Sequence, residues 1–288
     1  KFSYFDYSTP ISEPTEQRFI TRHRLNKKTP HAAKSEAVEP IVYYLDPGIP
    51  EPVMTALKEG ASWWNQAYEA AGYKDAFQVK VLPEGADPMD VRYNVINWVH
   101  RATRGWSYGS SVVDPRTGEI IKGHVTLGSL RVRQDYLIAL GLTSPFKEGN
   151  TDTTAQQEMA LDRIRQLSAH EVGHTLGIAH NFAASENNRA SVMDYPHPKI
   201  SIKNGKISLE GAYDKGIGAW DIHAVEYGYQ DFASDVEEAE ALAKIIVKGR
   251  NEGLSFKSDP DTRSSRHASA NGHMWENGSN PLDAFDEI

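Results

Sequence analysis

His170-Glu-Val-Gly-His174-Thr-Leu-Gly177-Ile-Ala-His180 carries more chemistry than any other stretch of this chain. His170 and His174 stand four residues apart, so on a helix they lie one turn above each other on one face. Glu171 projects beside the same place. Gly177 can end the helix, because glycine accepts the left-handed backbone that helix C-termini commonly need. The chain can then turn and bring His180 back as a third imidazole. Three neutral nitrogens leave the fourth position of a tetrahedral ion open to water, the arrangement of a catalytic zinc and not of a structural one. By composition alone, His-Glu-x-x-His arises by accident in roughly three of a hundred such chains. Requiring Gly177 and His180 as well lowers that to about one in ten thousand.

The surroundings support a helix here. Met159, Leu161, Ile164, Leu167 and Val172 recur at mixed three- and four-residue spacing with no proline between them, which predicts a helix over 154–178. Asp152 or Thr153 is placed to cap it. Upstream, 41–45 has strand composition, and a helix is expected from Pro52 to about Ala71, with Trp63, Trp64, Ala67 and Tyr68 packing on a sheet. Strands are expected at 77–82, 92–100 and 107–113, and a further strand at 119–127 returns antiparallel after a turn at 114–118. The expected class is α/β (α+β), with a mixed sheet and two major helices. After His180 the chain is rich in Ser, Asn, Gly and Pro and reads as mostly loop, with helices resuming at 219–229 and 235–247. Three parts follow from this: an N-terminal extension (1–39), a subdomain ending in the histidine-bearing helix (40–182) and a largely irregular C-terminal subdomain (183–288). The basic stretch 18–28 reads as solvated surface, and the polar tail from Ser255 onward as weakly ordered.

The bulk properties exclude several classes. The chain has 288 residues, 39 acidic against 31 basic, and a net charge of −8. That balance argues against a general nucleic-acid or anionic-membrane partner. No apolar run approaches the length of a membrane span, so membrane insertion is not expected. The absence of cysteine removes disulfides and thiolate ligands. The start at Lys1, without a signal region, suggests a piece of a longer protein with further domains. His100, His124, His197 and His223 read as ordinary surface or satisfied polar residues. No compact calcium loop is apparent.

A second constellation, Ser191-Val-Met193-Asp-Tyr195-Pro196, follows the third histidine. The long histidine motif followed by such a Met-containing turn resembles the metzincin clan of zinc endopeptidases. The resemblance implies one catalytic zinc ion, Met193 in a Met-turn beneath the imidazoles, and Tyr195 as the tyrosine that astacin-like and serralysin-like members place near the metal. It also implies a sheet-edge strand over the cleft that pairs with an extended protein or peptide substrate. By order along the chain, that edge is 107–113, with Gly109, Ser110, Ser111 and Val112 at its centre. The stretches Trp63-Trp64-Asn65, Val95-Ile-Asn-Trp-Val-His-Arg101, Gly105-Trp-Ser-Tyr-Gly109, Asp114-Pro-Arg-Thr-Gly-Glu-Ile120 and Ser129-Leu-Arg-Val-Arg-Gln-Asp135 are further similar to a family of large, exported zinc-dependent metalloproteases of Bacteroidetes type. That similarity implies a periplasmic or extracellular bacterial protein. The reading is then a zinc endopeptidase with Glu171 as general base. Two alternatives stand beside it: a catalytically silent zinc-containing binding module, and a latent protease blocked by residues 1–39.

Overall fold

The computed structural model describes residues 2–102, 106–149, 151–262, 269, 271–272, 274–275 and 278–286. Gly105, which belongs to one of the resembling stretches, lies outside the described residues. A short hairpin comes first, β1 (Phe2–Phe5) and β2 (Glu16–Phe19), followed by β3 (Ser35–Glu36). The main sheet uses β4 (Ile41–Leu45), β6 (Phe77–Val81), β7 (Asn94–Val99), β8 (Tyr108–Val113) and β9 (Ile120–Gly128), in the order β6-β4-β7-β9-β8. All neighbours run parallel except β8, which lies antiparallel on β9 at the sheet's edge. Between β4 and β6 come α1 (Val53–Ser62), α2 (Trp64–Ala70) and β5 (Tyr73–Lys74). After β9 come α3 (Leu130–Thr143) and the long α4 (Thr154–Thr175). The remainder holds a small hairpin, β10 (Ser201–Lys203) with β11 (Lys206–Ser208), then α5 (Ala219–Tyr229), α6 (Glu238–Asn251), α7 (Asp259–Thr262) and α8 (Pro281–Asp286).

The mixed sheet and its helices agree with the expected α/β class. Two details differ. The helix expected over 52–71 is two helices that meet at Trp63. The second difference is α3, for which no helix was expected. Its only fully buried side chains are Asp135 and Ala139. Where an apolar stripe would ordinarily face inward, α3 instead buries the Asp135 carboxylate against Arg131 at 2.9 Å. That pair lies within α3 itself, one turn apart, and a helix that fully buries one carboxylate and one alanine leaves no hydrophobic period to read.

The core forms where the sheet meets α1, α2 and α4. Tyr43, Leu45, Ile96, Val125 and Leu127 of the sheet meet Leu57, Trp64, Tyr68, Ile164 and Val172 of the helices, all essentially excluded from water. Polar handles fix the register of these apolar bodies. The Trp64 indole donates to the Ala169 carbonyl at 2.8 Å, and the Ser168 hydroxyl to the Leu57 carbonyl at 2.8 Å. The α4 partners in these bonds, Ala169 and Ser168, sit within one turn of the histidine motif, so α1 and α2 set where α4 lies.

The basic stretch near the N-terminus departs from the expected solvated surface. Arg18, Arg24 and Lys28 do face solvent, but His23, Leu25 and Lys27 are buried. The Arg22 main chain bridges to Gly118 and Ile120, extending the sheet end by a parallel contact. The His23 ring lies 3.1 Å from the Tyr43 hydroxyl and 3.2 Å from the Thr175 carbonyl at the end of α4. Burial holds His23 down to about 4. An unfolded chain therefore takes up a proton there as pH falls from about 6.5 to about 4, whereas the folded chain does not, so stability is lost across that window. In urea melts, the stability advantage of wild type over His23→Gln is expected to shrink by roughly 3 kcal/mol between pH 7 and pH 4. A difference that stays constant with pH contradicts a neutral, buried His23.

Candidate metal centre

Helix α4 ends in a way that creates the site. Leu176 is the last half-helical residue, and Gly177 follows with φ +89°. The Gly177 N–H donates to the His174 carbonyl and the Ile178 N–H to the Gly173 carbonyl, both at 3.1 Å. This pair of bonds is a Schellman motif, which reverses the chain within two residues. A side chain at Gly177 would also run into the Thr21 carbonyl at 2.0 Å, so the N-terminal segment closes tightly on this turn. The remaining helix-end carbonyls find partners: Thr175 takes hydrogen bonds from Tyr43 and Ser111, and Leu176 takes one from Tyr229 at 2.8 Å.

The reversal brings His180 back over α4. Ring nitrogens of His170, His174 and His180 all lie within 4.8 Å of one another, and they form the one candidate metal cluster among the described residues. Their outer nitrogens are all taken. His170 Nδ1 meets the Val192 carbonyl at 2.8 Å, His174 Nδ1 the Ile178 carbonyl at 3.0 Å, and His180 Nδ1 an Asp259 carboxylate oxygen at 2.7 Å. Those partners can only accept, so each Nδ1 carries the hydrogen and each Nε2 keeps its lone pair. His174 Nε2 and His180 Nε2 face each other at 3.1 Å. Two nitrogens on a tetrahedral zinc, each bonded at about 2.0–2.1 Å, stand about 3.3 Å apart. Two facing lone pairs repel unless a cation lies between them, so this donor set fits zinc. Burial, and then the neighbouring imidazoles, hold His170 well below its ordinary range and His174 at about 4. Both are therefore neutral at pH 7 and ready to ligate.

Glu171 is 5% exposed. Burial pushes its carboxyl up to about 7, against the Arg163 charge and a hydrogen bond from the Gly109 N–H, which pull it down. Gly109 is where β8 crosses α4. A Cβ there would stand 2.1 Å from the Glu171 carbonyl, so only glycine lets the edge strand lie this close to the helix. Ser111 also touches α4 through its bond to the Thr175 carbonyl, while Ser110 and Val112 point outward. Among the described residues β8 pairs with β9 alone, which leaves its outer edge open.

Met193 is fully buried beneath α4. Its sulfur packs so closely on Gly173 that a Cβ there would meet it at 2.2 Å. The Tyr195 ring lies alongside the imidazoles, stacked on His170 with centroids 5.1 Å apart and 4.7 Å from His180. Its opposite neighbour is Trp275, stacked at 5.4 Å. The turn holding Met193 is anchored by Asp221 of α5. That carboxylate accepts from the Ser191 hydroxyl at 2.6 Å and from the Val192 and Gly218 N–H groups at 2.8 and 2.9 Å. Burial pushes Asp221 up to about 6 despite those three donors. Since Val192 also receives the His170 bond, Asp221 acts on the metal centre through one residue.

Sequence reasoning placed His170, His174, His180, Glu171, Met193, Tyr195 and Gly109 in one site, and the structure brings them together. It missed Asp221, Asp259 and Trp275. They approach from 26 to 80 residues past Tyr195, and no local pattern marks them. The tail expected to be weakly ordered thus supplies two of the site's contacts. Asn181 is buried and holds the turn: its amide oxygen accepts from the Ala183 and Lys257 N–H groups. His100 pairs with Ser129 and His124 with Asn97, as ordinary polar residues.

Residues 152–288 match the model of a protein family described as Met-zincin. This part of the chain, which contains all three histidines, is similar to that family, and the histidine cluster offers a site for one zinc ion. No curated protein and no solved structure matches the chain. Asp221→Ala is expected to lower stability by about 2–4 kcal/mol in denaturant melts, since it orphans the buried Val192 N–H and Ser191 hydroxyl and the half-buried Gly218 N–H. It should also loosen zinc retention; unchanged stability and metal content contradict the anchoring role.

Proposed function

We propose that this chain is the catalytic unit of a zinc endopeptidase that takes an extended polypeptide across β8. The observation that carries this reading is Glu171: a buried carboxylate, gripped by the edge strand through Gly109, beside three converging imidazoles. A module that only bound zinc or protein has no use for such a carboxylate. Bound there, zinc supplies a Lewis acid for the scissile carbonyl and brings the pKa of its water near neutrality. The open edge of β8, from Gly109 to Val112, offers main-chain groups to the substrate backbone. Glu171 takes the proton of the attacking water and returns it to the leaving amine. The Tyr195 hydroxyl donates to the carbonyl oxygen as charge builds on it. Met193 serves as the apolar floor of a Met-turn. Residues 16–38 contact the carbonyl end of α4 and the start of β9, which favours a structural role for them over a latent, self-blocked state. Export from a bacterial cell and membership of a longer protein belong to the same proposal. No described helix is long and apolar enough to cross a membrane.

A peptide-library digest compares wild type with two variants. Glu171→Ala is expected to keep one equivalent of zinc and lose cleavage by two to four orders of magnitude. Tyr195→Phe is expected to keep its zinc and lose roughly one to three orders. Equal cleavage by Glu171→Ala overturns the mechanism, and a zinc-loaded wild type that cleaves nothing overturns the peptidase reading.

A further inference from the structure

We infer that Asp259 and Trp275 are positioning residues of the metal centre, the first holding His180 and the second holding Tyr195. The three ligands are not held alike. His170 and His174 ride on α4, where the helix backbone and close packing already limit their rings. His180 stands beyond the helix, on the turn after Gly177, and needs an anchor from elsewhere. It also differs in its outer bond. His170 and His174 give their Nδ1–H to neutral carbonyls, whereas His180 gives it to a carboxylate at 2.7 Å. Such a charge-assisted bond fixes the ring and makes its other nitrogen a stronger donor to a metal.

The approach of Asp259 is built into the fold. The Phe182 N–H donates to the Lys257 carbonyl at 2.8 Å. The Lys257 N–H donates to the Asn181 amide oxygen at 3.1 Å, and the Asn181 amide nitrogen to the Ser255 carbonyl at 2.9 Å. These three bonds join the residues just after His180 to the residues just before Asp259. Ligand and anchor are therefore fixed to the same short ladder. Trp275 is attached in a comparable way. Its N–H donates to the Tyr195 carbonyl at 2.9 Å, and its ring lies on Tyr195 at an interplanar angle of 19°. The Tyr195 ring is thus sandwiched between Trp275 and His170. The plain alternative for Asp259, which is 39% exposed, is a surface ion pair of little consequence.

The Asp259 half rests only on the zinc site; the Trp275 half rests on the peptidase reading. The test begins with zinc affinity by chelator competition, together with the visible spectrum of the cobalt-substituted protein. Asp259→Ala is expected to bind zinc 10- to 100-fold more weakly and to shift the cobalt bands. Asp259→Asn, whose amide oxygen still accepts from Nδ1–H but carries no charge, is expected to recover only part of that loss and to stay several-fold weaker than wild type. Zinc affinity and cobalt bands unchanged in Asp259→Ala overturn the assignment, as does a fall in melting temperature alone. Should Asp259→Ala not fold, Asp259→Asn decides: weaker affinity supports the role, and unchanged affinity and bands overturn it. Trp275→Ala is expected to keep full zinc affinity and lose roughly tenfold in kcat with KM little changed, with Trp275→Phe restoring most of it. An unchanged kcat in Trp275→Ala overturns its half. A wild type that cleaves no peptide removes the Trp275 half with the peptidase reading, while the zinc result for Asp259 stands independently.

Discussion

Three imidazole lone pairs aimed at one point are an unfavourable arrangement unless something holds the rings from behind and a cation waits in front. The rest of the molecule is organised around meeting the first condition. Each Nδ1–H has its own fixed acceptor, in the Val192 carbonyl, the Ile178 carbonyl and Asp259. None of these acceptors is a neighbour of its histidine by chance. Ile178 is placed by the Schellman turn, Val192 by the Asp221 carboxylate, and Asp259 by the Asn181 ladder. Loss of any one of these supports frees a ring to rotate, and a tetrahedral site tolerates little rotation.

Close backbone approach is the second device. Gly109 lets the edge strand rest on Glu171, Gly173 admits the Met193 sulfur, and Gly177 accepts both a left-handed backbone and the Thr21 carbonyl. Each brings one layer nearer the site than any side chain would permit. As a result the Glu171 carboxylate is buried yet touches a main-chain donor, and burial pushes it up to about 7.

Much of this was legible in the sequence because it is local. The spacing of His170, Glu171 and His174 follows helix geometry, and Gly177 announces the reversal that returns His180. The main strands were readable because β4, β7 and β9 alternate or run apolar in short stretches bounded by turn residues, whereas their order in the sheet was not. What was not legible is what depends on long-range contact. Helix α3 fully buries only Asp135 and Ala139, and the Asp135 carboxylate is paired within the helix to Arg131, so it lacks an apolar stripe. Asp221 and Asp259 look like ordinary acidic residues among 39. Only the fold shows that one anchors Val192 and the other His180. The basic stretch near the N-terminus misled for the same reason: its charges face water while His23 and Leu25 turn inward to the end of α4.

The central claim is that the chain holds one zinc ion on three histidines, leaving a position open for water. X-ray absorption at the zinc edge on metal-loaded protein measures it directly. The account predicts one equivalent of zinc with three imidazole nitrogens at about 2.0–2.1 Å and one further light-atom ligand from solvent. A protein that retains no stoichiometric zinc, or a zinc closed by four protein ligands, would contradict it.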